Sequence, residues 1–352
     1  MVIKFHTVNL KKKYPLHISR GINDKSQNLF IEIKKDGITA WGESAPGKTE
    51  GASSAKEVKD HLIRLINSDI NTLSIYEVHQ RCKDLNIPPC AQAAIDVALW
   101  DLKAKEAKMS LKDLLGLPSP QVPSSITVGI NPPEIIKERV EIILSNPQVK
   151  ALKIKLGSPK GIEYDQLIYS QVIESAGKSN VAIRVDANGG WSLDEAQFMM
   201  KWLSQRKAEY IEQPLIEGDE DKLKFLFKGR PLPIFIDESC RVAEDVANFH
   251  HNVDGINLKL MKCGGITEAI KILNVAKSHS LKTMIGCMSE SSISISAGAS
   301  ISGIIDYVDL DSHYNLDPDP SEGSKMENGI TITNSKYGHG ANLKKEYYDK
   351  ID

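Results

Sequence analysis

Apolar and polar residues alternate over residues 2–10 and again over 29–34 (LFIEIK), and GITAWGE at 37–43 resumes the alternation after the turn signal Lys35-Asp36-Gly37. This pattern predicts a half-buried antiparallel sheet. From about Ala55 the apolar period lengthens to that of a helix. Residues 91–116 carry small and apolar side chains on several sides, which predicts a packed helix pair. From about residue 122 a third rhythm begins, with the short apolar runs SITVGI, VKALKIKLG, VAIRVDANG, AEYIEQP, PIFIDES, DGINLKL, KTMIGCM and DYVDLDS. Helical stretches lie between them. Asn131 before Pro132-Pro133-Glu134 reads as a helix cap, and Ser192-Leu193-Asp194-Glu195 as a capping box. Leu193, Ala196, Met200 and Leu203 fall on one helical face, as do Ile266, Ala269, Ile270 and Leu273.

Strand–helix alternation repeated this often predicts parallel strands with right-handed crossovers, and eight strands close into a (β/α) barrel. The open doubly wound sheet is the alternative, but no GxGxxG follows the first strand. The expected organisation is an α+β capping domain at 1–120, a barrel at 121–315, and a tail at 316–352 that returns to the capping domain and includes the strand-like GITITN.

Composition changes this picture little. With 44 Lys+Arg against 46 Asp+Glu and a hydrophobic share of 41%, the 352-residue chain has the make-up of a globular protein with no dedicated nucleic-acid or anionic-membrane surface. No stretch approaches the roughly 20 apolar residues of a membrane span, and MVIKFHTVNL lacks the core of a signal peptide. The five cysteines contain no CxxC, so neither a disulfide framework nor a thiolate zinc site is indicated. A cytoplasmic setting is the expectation.

The chemistry is concentrated at strand ends. The interior of a parallel strand should be nearly all apolar. Here Lys153 and Lys155, Asp186, Glu212, Asp237, Lys259, and Asp309 with Asp311 sit at the C-terminal ends of the second, third, fourth, fifth, sixth and eighth strands, where barrel enzymes place their active sites. Asp186, Glu212 and Asp237 are 26 and 25 residues apart, one strand–helix unit each, and so converge on one spot. Two like charges ~4 Å apart repel by about 4 kcal/mol at an effective dielectric near 20, so the cluster calls for a cation. All-oxygen ligands favour Mg²⁺. Lys153 and Lys155 share one side of their strand, and Lys259 lies four strands further round. A lysine among other cations and partly desolvated has a lowered pKa. Two such bases on opposite faces suit removal of a proton from one side of a carbon and its return on the other.

With the KxK at 153–155, the Asp/Glu/Asp set, the strand-six lysine and the helical run 91–116, the chain resembles the enolase superfamily, in the subgroup that includes the muconate-lactonizing enzymes. The resemblance implies a (β/α)7β TIM-like barrel with a capping domain, Mg²⁺ (with Mn²⁺ able to substitute) and an enediolate intermediate. Asp309-Leu310-Asp311 is similar to the motif with which dipeptide epimerases hold a free amino terminus, and Met284–Met288 resembles their strand-seven run, which places Met288 at the substrate. The resemblance therefore implies epimerisation of a dipeptide at the α-carbon of its C-terminal residue. By the same resemblance, Asp186, Glu212 and Asp237 would hold the metal, Lys155 and Lys259 would be the acid/base pair, and Lys153 would stabilise the enediolate. Arg20, in a region that resembles the specificity loop, would hold a glutamate side chain, as in L-Ala-L-Glu. A cycloisomerase or an o-succinylbenzoate synthase-type lyase on the same scaffold is the alternative. Homo-oligomerisation stays open. Asn188 and Gln213 are expected to support the metal ligands, His250-His251 to lie on the surface, and His313 to be structural or to touch substrate.

Overall fold

The computed structural model describes residues 1–349. The N-terminal alternation folds as an antiparallel sheet of β1 (Val2–Ile18), β2 (Gly21–Lys35) and β3 (Ile38–Ser44). The first two strands run well past the alternating stretches: pairing extends from Val2↔Lys34 to Ile18↔Gly21, with a register shift between Lys11 and Leu16. Backbone pairing carries this ribbon onward where side-chain alternation weakens. Its tip reaches the rest of the molecule, where Ser19 Oγ donates to the Asn188 carbonyl at 3.0 Å.

The sheet buries Leu29, Ile31, Ile33 and Ala40 against α1 (Ala55–Ile66), α2 (Ile75–Asp84) and α3 (Pro89–Glu106); the one-turn α4 (Leu111–Leu114) follows. The predicted helix pair is thus α3 and α4. Gly42 permits a close approach of β3 to α3, since a Cβ there would lie 2.0 Å from the Ala94 carbonyl oxygen. Backbone offers no flexible end to move aside. Gly42→Ala is therefore expected to cost at least about 2 kcal/mol, the scale of core overpacking. A melting temperature equal to that of the unsubstituted protein would contradict this.

All eight predicted barrel strands form: β4 (Ser125–Val128), β5 (Ala151–Lys155), β6 (Ala182–Asp186), β7 (Ala208–Glu212), β8 (Ile234–Ile236), β9 (Gly255–Lys259), β10 (Lys282–Gly286) and β11 (Tyr307–Val308). They are parallel and ordered by sequence, and the single bridge Ser124↔Val308 joins last to first. Arg184, inside the barrel, spans this short seam by donating to Ser125 Oγ (2.8 Å) and the Val308 carbonyl (3.1 Å). The connecting helices are α5 (Pro133–Leu144), α6 (Ile162–Ala176), α7 (Leu193–Ser204), α8 (Leu223–Phe227), α9 (Ala243–Phe249), α10 (Leu260–Cys263), α11 (Ile266–Ser278) and α12 (Ser292–Ile301). Only a 3₁₀ turn follows β11, so the architecture is (β/α)7β. On the faces expected to pack, Ala196, Met200, Leu203, Ile266, Ala269 and Leu273 are buried, whereas Leu193 and Ile270 are partly so. The Ser192–Glu195 capping box is present. Asn131 does not cap α5: Pro132 occupies the N-cap position and no side chain bonds there, because two prolines in succession carry no N–H and fix the entry of the chain.

The acids of α3 are structural. Asp96 accepts from the Ile266 and Thr267 backbone N–H groups (2.6 and 3.1 Å), capping α11 from the neighbouring layer. Asp101 accepts from the N–H groups of Trp41 and His339, both at 2.9 Å. The segment after β11 places Leu316, Ala341 and Leu343 in one cluster with Val8, Leu10, Phe30 and Trp41. It forms two short antiparallel pairs, β12 (Ser321–Glu322) with β15 (Asn342–Leu343) and β13 (Lys325–Glu327) with β14 (Ile330–Ile332), the last being the expected GITITN strand. Among the described residues no helix is long and apolar enough to cross a membrane.

Candidate active site

Inside the barrel, Tyr210, Phe235, Met284 and Tyr307 form an aromatic plug. Two residues further along its strand Tyr210 gives way to Glu212, and the interior becomes charged toward the C-terminal mouth. Lys153, Lys155, Asp186, Glu212, Asp237 and Lys259 are all buried. Each of Asp186, Glu212 and Asp237 offers an oxygen, and the three lie within 4.8 Å of one another.

The ammonium groups interleave with these acids. Lys153 Nζ meets Asp309 Oδ2 (2.7 Å), Glu212 Oε2 (2.8 Å) and Asp186 Oδ2 (3.2 Å). Lys155 Nζ lies 2.5 Å from Asp186 Oδ2, and Lys259 Nζ 2.6 Å from Asp237 Oδ2. Burial opposes the charge on every one of these groups, and partners decide the outcome. Burial alone would lower Lys153, but Asp309, Glu212 and Asp186 outweigh it and hold its pKa well above the ordinary lysine value. Lys259 is likewise raised, with Asp237 overcoming desolvation. The lowered lysine pKa expected from sequence is therefore not found at Lys259; its carboxylate partner wins over burial and over the nearby Lys153. Asp186 and Asp237 are held low by their lysines against burial. Glu212 goes the other way: burial, then the charge of Asp186, pushes it up to about 8.

The donor set fits a hard divalent cation. All three ligands are buried carboxylates whose oxygens converge within 4.8 Å, and the cations that reach them here, Lys153 on Glu212 Oε2 and Lys262 on Asp237 Oδ1, show that the cluster calls for positive charge.

A cavity of about 830 Å³ opens above this cluster. Its wall includes Lys155, Lys259, Asp309, Asp311, Met288 and Arg20. Lys155 on β5 and Lys259 on β9 face it from opposite sides of the barrel, four strands apart. Asp309 and Asp311 follow the end of β11 rather than extending it. Asp309 Oδ1 is buried and unpartnered, whereas Asp311 Oδ2 accepts from the Thr127 N–H at 2.7 Å. Burial, then the charge of Asp309, pushes Asp311 up to about 6.

Arg20 reaches the cavity rim, but its guanidinium is in use: Nη2 lies 2.6 Å from Glu238 Oε1, with the Arg20 side chain 44% exposed. Asn188 and Gln213 do support the cluster. Asp186 Oδ1 accepts from the Asn188 N–H (2.8 Å), and Gln213 Oε1 accepts from the Asp237 N–H (2.8 Å). His313 is buried, and burial brings it down to about 3. His250 is partly buried and His251 exposed, and both pack near His279 through the His250 ring.

Sequence reasoning missed three groups. Lys262 Nζ, one helical turn past Lys259, sits 2.5 Å from Asp237 Oδ1. Asn257 Nδ2 donates to Glu212 Oε1 (2.7 Å); it precedes Lys259 by two residues on β9, so alternation alone would have placed it inside. Glu238, next to Asp237, engages Arg20.

Glu290, just past the end of β10, is fully buried and accepts from the Met288 N–H at 2.7 Å. Burial, reinforced by Glu43 and opposed by that hydrogen bond, pushes it up to about 8. Its pKa in the folded protein exceeds that of the unfolded chain, so folding favours the proton. The resulting stability is complete below pH ~4.3 and lost as pH rises through about 8. Glu290→Gln is neutral at every pH, so its melting temperature is expected to gain on the unsubstituted protein between pH 5 and 8, by on the order of a few kcal/mol in stability. Parallel melting curves across that range would contradict a buried acid here.

Comparison with known proteins agrees with this geometry. The profile described as "Mandelate racemase / muconate lactonizing enzyme, N-terminal domain" matches residues 2–116, and that described as "Enolase C-terminal domain-like" matches residues 136–347. The chain belongs to the mandelate racemase/muconate lactonizing enzyme family of the enolase superfamily and is an enzyme of that group. It is 55% identical to a hydrophobic dipeptide epimerase of Flavobacteria bacterium (strain MS024-2A), over 99% of this chain and 100% of the relative. It is 54% identical to a hydrophobic dipeptide epimerase of Roseobacter litoralis, over 97% and 99%. Among solved structures, the dipeptide epimerase of Enterococcus faecalis V583 complexed with Mg and L-Leu-L-Tyr superposes with a TM-score of 0.90 at 30% identity, covering 96% of this chain and 98% of that one.

Proposed function

We propose that this enzyme is a Mg²⁺-dependent dipeptide epimerase that inverts the α-carbon of the C-terminal residue by a two-base proton transfer. The observation that carries the reading is the cavity itself: two lysines face it from opposite walls above a carboxylate triad, and two further acids stand beside them. The relatives' names agree.

Asp186, Glu212 and Asp237 would hold Mg²⁺, which would supply positive charge for the substrate carboxylate. Lys155 takes or returns the α-proton on one face, and Lys259 does so on the other. Lys153, held as a cation by three acids, remains charged and opposes the negative charge that develops on the enediolate. Asp309 and Asp311 hold the substrate ammonium, whose charge relieves the repulsion between them. Cycloisomerase and lyase substrates that lack an amine leave this pair without a role.

The side chain of the epimerised residue is apolar. Arg20 is committed to Glu238, and the cavity lining includes Tyr14, Leu16, Ile18 and Met288. This favours a hydrophobic C-terminal residue over the glutamate that Arg20 suggested. A dipeptide library incubated with Mg²⁺ in D₂O tests the reading by mass gain at the α-carbon. Hydrophobic dipeptides should gain one deuterium, chelation should stop the gain, and N-acetylated dipeptides should stay unlabelled. Equal labelling of N-acetylated dipeptides would remove Asp309 and Asp311 from amine recognition.

A further inference from the structure

We infer that Lys12 is a specificity-determining residue whose ammonium bars a cationic side chain on the first residue of the dipeptide. The inference rests on the dipeptide reading above and extends it to the other half of the substrate.

Along β1 the inward-facing row is His6, Val8, Leu10 and Lys12, with Thr7, Asn9, Lys11 and Lys13 exposed between them. Val8 and Leu10 enter an apolar core cluster. Two residues later the same row leaves that cluster and becomes cavity wall, where Lys12, Tyr14, Leu16 and Ile18 follow in turn. The tail holds the strand in this register, with Lys12 bridged to Leu316 and the Asp317 N–H donating to the Lys11 carbonyl at 2.8 Å. Lys12 is therefore only 8% exposed in a place where the row would ordinarily carry an apolar residue.

Five other cations that line the cavity are occupied, and Lys48 stands exposed to solvent at its rim. Lys13 donates to the Tyr314 carbonyl, Arg139 stacks on the Tyr14 ring, Arg20 pairs with Glu238, Lys155 with Asp186, and Lys259 with Asp237. Among the described residues the Lys12 ammonium has no ion pair and no hydrogen bond, and Lys12 lines the same cavity as Asp311 and Cys287. A buried ammonium without a partner is costly, and burial lowers Lys12 to about 8, which leaves it mostly protonated at pH 7. Cys287, then Asp311 and Asp24, act against burial and raise it.

Asp311, with Asp309, is where the substrate ammonium binds, so the first residue's side chain projects into the part of the cavity that Lys12 borders. An apolar or acidic side chain meets the lysine stem or its charge without conflict. A second ammonium or a guanidinium there faces a like charge in a half-enclosed site.

The test is a pair of dipeptides with the same C-terminal residue, Met-Leu and Lys-Leu, nearly equal in length and different in charge, assayed at pH 7. The wild type is expected to favour Met-Leu in kcat/KM by at least about tenfold. Lys12→Met should shrink that ratio by about tenfold, and Lys12→Arg, which keeps the charge, should preserve it. Lys12→Gln serves the same purpose should Lys12→Met fail to fold. Equal use of the two dipeptides by the wild type overturns the inference without any variant. A ratio unchanged in Lys12→Met or Lys12→Gln, or lost in Lys12→Arg, also overturns it. Normal turnover of neutral dipeptides with no charge preference removes Lys12 alone; turnover of no dipeptide removes the epimerase reading with it.

Discussion

Glu212→Gln is expected to weaken Mg²⁺ binding by at least about a hundredfold, and activity with it, while the metal-free protein stays folded. Loss of an outer partner of a metal ligand already costs roughly 10–100-fold in affinity, and here a ligand itself loses its charge. The metal-free protein tolerates the amide for a specific reason. Asn257 donates to Glu212 Oε1 and has a buried, unpartnered Oδ1. Turning the Asn257 amide lets that oxygen accept from the new Gln N–H, while the Gln oxygen accepts from Lys153. Lys153 also keeps Asp309 and Asp186. Titration calorimetry with Mg²⁺ and melting with and without Mg²⁺ separate the two effects. The wild type should gain melting temperature with Mg²⁺ and the variant should not. An unchanged Mg²⁺ response would take Glu212 out of the metal site.

The second large effect concerns the two lysines. Lys155→Met and Lys259→Met should each reduce epimerisation by about a hundredfold to ten-thousandfold, the range general acid–base groups supply. Each variant should retain exchange of the α-proton with solvent for one stereoisomer only, and the two should retain opposite ones. Neither substitution strands a buried acid. Asp186 keeps Lys153 at 3.2 Å when Lys155 is gone, and Asp237 keeps Lys262 at 2.5 Å when Lys259 is gone. Both variants should therefore melt close to the wild type, and a large drop would mean that loss of fold rather than loss of a base explains the inactivity. Near-normal interconversion by either variant would exclude a two-base assignment.

The barrel and its charged mouth were legible because both follow from short-range rules. Period-two alternation and one strand–helix unit between acids place Asp186, Glu212 and Asp237 together without knowledge of any long-range contact. What was not legible depends on partners far apart in sequence. Arg20 reads as a free guanidinium at the rim, and only the fold shows Glu238 beside it. The same holds for Lys259, whose pKa direction is decided by Asp237 across the β8–β9 pair. The ribbon of β1 and β2 runs past the alternation expected over residues 2–10, and within the lysine run at 11–13 Lys12 still faces inward. Asp309 and Asp311 were expected at the C-terminal end of the eighth strand. They line the same cavity on irregular backbone instead, because β11 stops at Val308.

Two amines reaching one carbon from opposite sides leave a direct isotopic trace. A single stereoisomer of a hydrophobic dipeptide should be incubated with the wild-type enzyme and Mg²⁺ in D₂O and sampled before equilibrium. Removal of the proton on one face and delivery from the other gives an inverted product that carries deuterium from the first turnovers, while the remaining starting isomer stays largely protiated. An inverted product that keeps the original proton would mean that one group serves both faces, and the opposed roles of Lys155 and Lys259 would fall.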